Sequence, residues 1–331
     1  MPGIIISESS NRNDPLFGKW QAPIASYLRK EAEGFEQMSI AKKLFRQRKS
    51  THWAESYGNM TAMGNFKPVM ESGDYPVTDF EHGKMKVIPN RTWKNSFAIS
   101  WEMIMDNNLI SIQSRPQEFM AAWGRTQEEF FAELLARGWL GEEVFSIEGI
   151  EFDLRAADEV PVFSATHKAT ITGELQPNAF SDGFSLTALN QMSTAMQNTK
   201  GDRGELLAMW PDTIVIGNDE DLKNEVISVI GSEKKPGGSQ NDINPQYGNW
   251  NLIIWPYLNK YLGNEKPWML MDSKYVETHD CMIWQERHPL DITSEIQGND
   301  ANVWKGKARF GGGFSNHRGM MVGGVSHGAS L

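Results

Sequence analysis

Seven histidines and one cysteine are the side chains in this sequence best suited to bind a metal or carry a proton. Cys281 stands two residues after His279. A zinc centre needs three or four ligands, and two neighbours do not make that set. His167 follows Thr166 at the end of a predicted strand, Val160 to His167. Imidazole has the right acidity for a general base, but no nucleophile of recognisable context accompanies it, so a local hydrogen-bonding role is the better reading. No G-x-S-x-G and no H-E-x-x-H occurs. Gly311-Gly312-Gly313 lacks the Lys-Ser/Thr and the spacing of a phosphate cradle, and reads as a bend that interrupts a strand. Asp280 with Glu286, and Asp153 with Asp158, are neighbours in sequence and no more. No catalytic set, cofactor site or metal site emerges, so the chain does not read as an enzyme.

Composition narrows the alternatives. A formal charge of −10 disfavours tight nucleic-acid binding by the chain as a whole. A single cysteine cannot form an intrachain disulfide, which suits a reducing compartment. No apolar run approaches the ~20 residues of a transmembrane helix. Met1 to Ile6 lacks the basic start of a signal peptide. Twelve Trp and sixteen Phe supply large amphipathic area for a core or for interfaces. At 331 residues, one or two domains are expected.

The elements that would position any such site follow from periodicity and punctuation. Residues 1–50 form a leading arm, helical in spacing from Ala25 to Phe45. It closes on Lys42, Lys43, Arg46, Arg48 and Lys49, five basic residues in eight. These read either as a solvated helix end or as a patch touching DNA or an acidic neighbour. Residues 51–65 are a connector. From 66 to 100, broken alternation around Pro89-Asn90 predicts an exposed two-stranded hairpin carrying Lys84, Lys86, Arg91, Trp93 and Lys94. Ser114-Arg115-Pro116 signals the start of a helix over 116–138, with Phe119, Met120, Trp123, Phe130, Phe131, Leu134 and Leu135 on one face and Glu128, Glu129 and Glu133 elsewhere. Further helices are predicted from Leu186, capped by Ser185, and from Glu220, capped by Asn218 or Asp219. Strands are predicted at Thr213–Ile216, Asn251–Trp255, Trp268–Met271, Met282–Trp284, Ala301–Phe310 and Met320–Val322. Residues 231–248 form a long loop.

One ordered set of segments carries a likeness. Val162-Phe163-Ser164-Ala165-Thr166-His167 is followed by Ser185-Leu186-Thr187-Ala188-Leu189-Asn190 and then Ile214-Val215-Ile216-Gly217. Trp268-Met269-Leu270-Met271-Asp272 and Phe310-Gly311-Gly312-Gly313-Phe314 come next, closed by Arg318-Gly319. In order and spacing this resembles the Mu-like phage head subunit family of tailed-bacteriophage major capsid proteins, over roughly residues 100–323. Relatives commonly place an aromatic residue before the Arg-Gly, where Asn316-His317 stand here. The resemblance implies an α+β, HK97-type capsid fold. It would comprise an N-terminal arm (1–50), a connector (51–65), an extended loop (66–100) and a peripheral domain (101–182) with its spine helix at 116–138. An axial domain (183–288) and a peripheral return with the C-terminal tail (289–331) would complete it.

It also implies a function: self-assembly into pentamers and hexamers of an icosahedral head around double-stranded DNA. The subunit would be located in the virion and assembled in the bacterial cytoplasm. Implied partners are other copies of the chain, portal and scaffolding proteins, a decoration protein, and packaged DNA held by weak non-specific contact; no membrane is involved. A start at Met1 makes an uncleaved arm with a separate scaffold the simpler expectation. Rings need one patch to meet a different patch on the next copy. The basic hairpin (Lys84, Lys86, Arg91, Trp93, Lys94) against Glu128, Glu129 and Glu133 of a neighbour is one such match, and a solvated hairpin is the plainer account of the same lysines. An encapsulin-like protein compartment and a soluble α+β enzyme are the rival readings.

Overall fold

The computed structural model describes residues 5–6, scattered positions between 24 and 38, 39–60, 66–77 except 72, 82–106, 109–234, 242–298 and 300–331. Most of the predicted arm and the centre of the 231–248 loop lie outside the described residues. In chain order the elements are β1 (Ile5–Ile6), α1 (Ala41–Leu44), β2 (Arg46–Lys49), β3 (Ala54–Met60), β4 (His82–Pro89), β5 (Arg91–Ile99), α2 (Trp101–Met105) and α3 (Leu109–Trp139). Then come β6 (Val144–Ile147), β7 (Ile150–Asp153), α4 (Leu186–Gln197), β8 (Thr213–Ile216), α5 (Glu220–Ile230) and β9 (Asn251–Ile254). The last are α6 (Asn259–Leu262), β10 (Trp268–Met271), α7 (Ser273–Thr278), β11 (Met282–Ile296), β12 (Asn302–Phe314) and β13 (Met320–Gly323). Among the described residues no helix is long and apolar enough to cross a membrane.

The chain divides into two compact units. The first comprises residues 1–55, 88–131 and 284–312. Its sheet runs β1-β11-β12-β5, and β2 also pairs with β11. Ile99, Ile104, Ile112, Phe119, Met120, Leu290, Ile292, Trp304 and Ala308 form its core, joined by Ile24 and Leu28 from the arm. Aromatic rings extend it: Trp93 stacks on Phe310 at 4.9 Å and Phe131 on Trp284 at 4.2 Å.

The second unit comprises 56–87, 132–283 and 313–331. Its sheet runs β13-β10-β8-β9, with β8 and β9 parallel and β10 antiparallel to both its neighbours. Every residue of β8 and β10 is buried, which is why both read as unbroken apolar runs. Ile214, Ile216, Trp268 and Leu270 meet Leu189, Met192 and Met196 of α4 and Leu222 and Val226 of α5. The Ser185 hydroxyl accepts from the Ala188 N–H at 3.0 Å, and Asp219 accepts from the Leu222 N–H at 3.0 Å, so both predicted helices start on their caps.

Five expectations need correction. The long helix begins at Leu109, seven residues before Pro116, and Pro116 lies buried inside it. An interior proline costs about 3 kcal/mol in an isolated helix. Ile112, Phe119 and Met120 continue the buried stripe across it, and that packing outweighs the lost bond. The 66–100 hairpin is not one: β4 pairs with β3, while β5 pairs with β12 along its whole length, from Ile99 opposite Asn302 to Arg91 opposite Phe310. The basic run is not a helix end throughout, since Arg46, Arg48 and Lys49 belong to β2, beside β11. Val160 to His167 is irregular; Pro161 has no N–H to give a ladder, and the Asn178 amide takes up the Val162 carbonyl at 2.8 Å instead. Finally, β12 runs straight through Gly311-Gly312-Gly313. A Cβ at Gly311 would stand 2.5 Å from the Pro89 carbonyl oxygen, so the glycine serves close backbone approach and not a bend.

Candidate functional site

Among the described residues, several large apolar side chains stand exposed beyond the β3–β4 ribbon. Among the described residues β3 and β4 pair only with each other, and a two-stranded ribbon has little stability of its own. Along β4 the exposure alternates: Lys84, Met85 and Val87 are exposed, whereas Lys86 and Ile88 are buried. Between the two strands the described residues carry large apolar side chains wholly in solvent. Phe66 is 102% exposed, Met70 90% and Tyr75 94%, with Val69 and Val77 beside them. Single exposed apolar residues are ordinary, whereas contiguous apolar patches are the kind of surface that partners cover.

The predicted contact residues do not form one patch. The Lys86 ammonium lies 2.7 Å from the Asp153 carboxylate of its own chain. Burial pulls the Lys86 pKa down and Asp153 opposes this; burial would raise the Asp153 carboxyl, but hydrogen bonds from Arg155 and Lys86 hold it below its ordinary value. The Lys84 ammonium donates to the Asp158 carbonyl at 3.3 Å. Arg91, Trp93 and Lys94 lie on β5. Trp93 packs on Phe310 and Phe130, while Lys94 is exposed directly across from Lys307 of β12. On α3, Glu128 accepts from the Ala41 N–H at 3.3 Å and so caps α1. Glu129 is half-buried, and Glu133 is paired with Arg137 at 2.8 Å. In the basic run, Lys42 lies 5.7 Å over the Trp284 ring, Lys43 and Lys49 are exposed, and Arg46 and Arg48 are half-buried on β2.

The structure also gathers residues that nothing in their spacing connected. His167 is fully buried and stacks on His317 at 3.8 Å with the rings 7° from parallel. The His167 Nδ1 lies 2.6 Å from the Asp158 carboxylate and its Nε2 lies 3.3 Å from the Val162 carbonyl. His317 Nδ1 is 3.7 Å from the same carboxylate. Two histidines and an aspartate resemble a metal triad, but ring lone pairs lie in the ring planes. Parallel stacked planes give no single point that lies in both, so the cluster fits hydrogen bonding and not ligation. Beside it the Arg318 guanidinium meets Asp202 at 2.8 Å and the Gln176 side-chain oxygen at 3.0 Å. Gly319 follows at φ +79°, where a Cβ would strike the Tyr275 ring at 2.6 Å. The Arg-Gly pair is therefore a packed corner: the arginine ties the C-terminal segment to residues 176 and 202, and the glycine makes the turn. A cavity of about 210 Å³ opens here, lined in part by Gln176, Lys200, His317 and Arg318.

The sequence profile of the phage capsid protein family matches residues 86–322, and the chain belongs to that family. It is a major capsid protein with the HK97-type fold of tailed-phage heads, a structural protein of the virion. Among solved structures, that of Mycobacterium phage Adephagia is similar over 87% of this chain and 90% of that one, at 11% identity and a TM-score of 0.50. The capsid of Ralstonia phage GP4 is similar over 85% and 86%, at 10% identity and 0.49. A virus-like particle from Pyrococcus furiosus is similar over 91% and 97%, at 12% identity and 0.46. No curated protein sequence matches the chain.

Proposed function

We propose that the chain assembles as pentamers and hexamers closing an icosahedral head around double-stranded DNA, formed in the bacterial cytoplasm with portal and scaffolding proteins and able to take a decoration protein. The observation that carries this reading is the exposed apolar run from Phe66 to Val77 beyond a two-stranded ribbon. Exposed apolar surface of this kind suits coverage by a partner, and a ring of identical subunits supplies that partner through heterologous contact. The ribbon then takes the role of the extended loop and α3 that of the spine, within the peripheral domain (101–182, returning at 289–331). The axial domain is 183–288, the arm 1–50 and the connector 51–65.

Intersubunit contact is assigned to Lys84, Lys86, Arg91, Trp93 and Lys94 on one side and Glu128, Glu129 and Glu133 on the other. Lys84 and Lys94 are the exposed cations of the set. Lys42, Lys43, Arg46, Arg48 and Lys49 are assigned to an arm contact or to packaged DNA. With a net charge of −10 the grip on DNA is weak, which suits a genome that must leave.

Expression of the full chain with negative-stain imaging tests the proposal. Closed shells are expected, and the variant Lys84→Glu/Lys94→Glu should stay folded and form about tenfold fewer of them, since like charges now face the acidic partner. A small monodisperse monomer under all conditions would sink the assembly reading. Normal shells from the charge-reversed variant would sink the contact assignment alone. Shells filled with protein in place of DNA in infected cells would favour a compartment instead.

A further inference from the structure

A ribbon two strands wide does not fix its own direction. Its bearing depends on what grips its base. Lys86 is placed to do this. It is 6% exposed in a strand whose adjacent residues Met85 and Val87 stand in solvent. Its partner Asp153 is the last residue of β7, and the ammonium meets it at 2.7 Å. Two residues earlier on the same strand, Lys84 donates to the Asp158 carbonyl at 3.3 Å. Two points spaced along one strand define a line. The strand is thus laid along the segment from Asp153 to Asp158.

A buried ammonium paired with a half-exposed carboxylate is a poor choice for stability alone. Desolvating two charges commonly cancels their attraction, and an apolar side chain of similar volume serves the fold as well or better. What an ion pair adds is registry: one contact at one distance in one direction. A methionine at position 86 would fill the space without specifying an angle. Asp153 is also held by Arg155, whose Nε lies 3.0 Å from its other oxygen. The carboxylate therefore keeps a partner when Lys86 is removed, and the pair can be cut without leaving a bare buried charge.

We propose that the Lys86–Asp153 ion pair is a positioning element for assembly, setting the angle at which the ribbon presents residues 66–77 to a second copy of the chain. This rests on the reading of the ribbon as an intersubunit contact. Lys86 acts through the ribbon whether or not it also faces a neighbour. The pair fixes a geometry that ring closure needs, so its loss changes the number and shape of shells more than the stability of the chain.

The test uses the full chain as Lys86→Met, Lys86→Arg and Asp153→Asn. In Lys86→Met, the circular-dichroism spectrum and melting of the unassembled chain should stay near wild type. Amide exchange over 56–60 and 82–87 should quicken by about tenfold, and closed shells should fall about tenfold or appear malformed. Lys86→Arg should restore both exchange and shells, since the guanidinium reaches the same carboxylate. Shells of wild-type yield and shape from Lys86→Met, with unchanged ribbon exchange, would overturn the proposal. Global unfolding of both Lys86→Met and Asp153→Asn would overturn it too, because the pair would then hold the fold and not the angle. A triple variant, Phe66→Ser/Met70→Ser/Tyr75→Ser, separates the two ideas. If it assembles normally, the ribbon is no contact and the functional reading of it fails. If it blocks assembly while Lys86→Met does not, only the positioning role fails.

Discussion

At the scale of single residues, the buried histidine stack makes a prediction about acid. Burial holds the His317 pKa well below its ordinary value of 6.5; the neighbouring His167 and Arg318 push the same way, and Asp158 opposes them. The unfolded chain therefore binds this proton more readily than the folded one. The sign follows: the stability contributed by neutral His317 is complete above pH 6.5 and is lost as pH falls from there toward the folded value. The slope reaches at most about 1.4 kcal/mol per pH unit for one group. Asp158, whose pKa is lowered by His167 and His317 against the pull of burial, adds a second loss at lower pH in the same direction. Thermal melting of the unassembled chain between about pH 7 and 5 should show a decline that flattens in His317→Phe, which keeps a flat ring on His167. An unchanged decline in that variant would assign the acid response elsewhere. None of this was legible in the sequence. His167 showed itself as a hydrogen-bonding side chain, but Asp158 and His317 approach it only because the segment before β13 folds back beside residues 155–167. Arg318-Gly319 was visible as a motif, yet its partners Asp202 and Gln176 lie far off along the chain.

Elements were far more readable, because their signals are local. Ser185 and the pair Asn218-Asp219, of which Asp219 is the cap, announced the two helices of the second unit, and β8 and β10 announced themselves as continuous apolar runs. The Ser185 cap has a measurable worth. Ser185→Ala should lower the stability of the unassembled chain by about 1 kcal/mol in chemical denaturation, while Ser185→Gly should cost only about a few tenths. Equal losses from the two would show that the hydroxyl is not the source. Legibility failed where tertiary packing overrode a local rule. Pro116 looks like a start, but the apolar stripe through Ile112 carries the helix past it. Three consecutive glycines look like a break, but Gly311 lies against the Pro89 carbonyl and needs the missing Cβ. The β6–β7 hairpin gave only a two-residue signal, Glu148-Gly149, whose positive φ angles of 49° and 76° make its turn.

At the scale of the whole molecule, the sequence placed the chain among phage capsid proteins but mispaired the strands. Alternation shows that a strand exists and which faces it has. It does not show its neighbour. So Lys84-to-Ile88 and Trp93-to-Ile99 looked like two halves of one hairpin, and Pro89-Asn90 like its turn. In the folded chain that corner separates the ribbon from the first unit's sheet, with the Asn90 N–H donating to the Trp53 carbonyl at 2.8 Å. Trp93 and Lys94 are thereby members of a packed sheet. Lys84 and Lys86 belong to a ribbon gripped at its base.

The pairing of β5 with β12 has a consequence in time. Trp93 and Phe310, which touch in the finished sheet, are separated by 217 positions. At about 5–20 residues per second on the ribosome, β5 waits roughly 10–40 s before its partner has been made. Throughout that wait it presents an open edge, on a protein needed in many copies at once. Chains stalled before Asn302 should leave residues 91–99 open to protease, and full-length chains should protect them. Protection in the stalled chains would mean that another segment shelters β5 first. Order of synthesis thus makes β5 a temporary liability: the sheet it belongs to is begun early in the chain and closed only when β12 arrives.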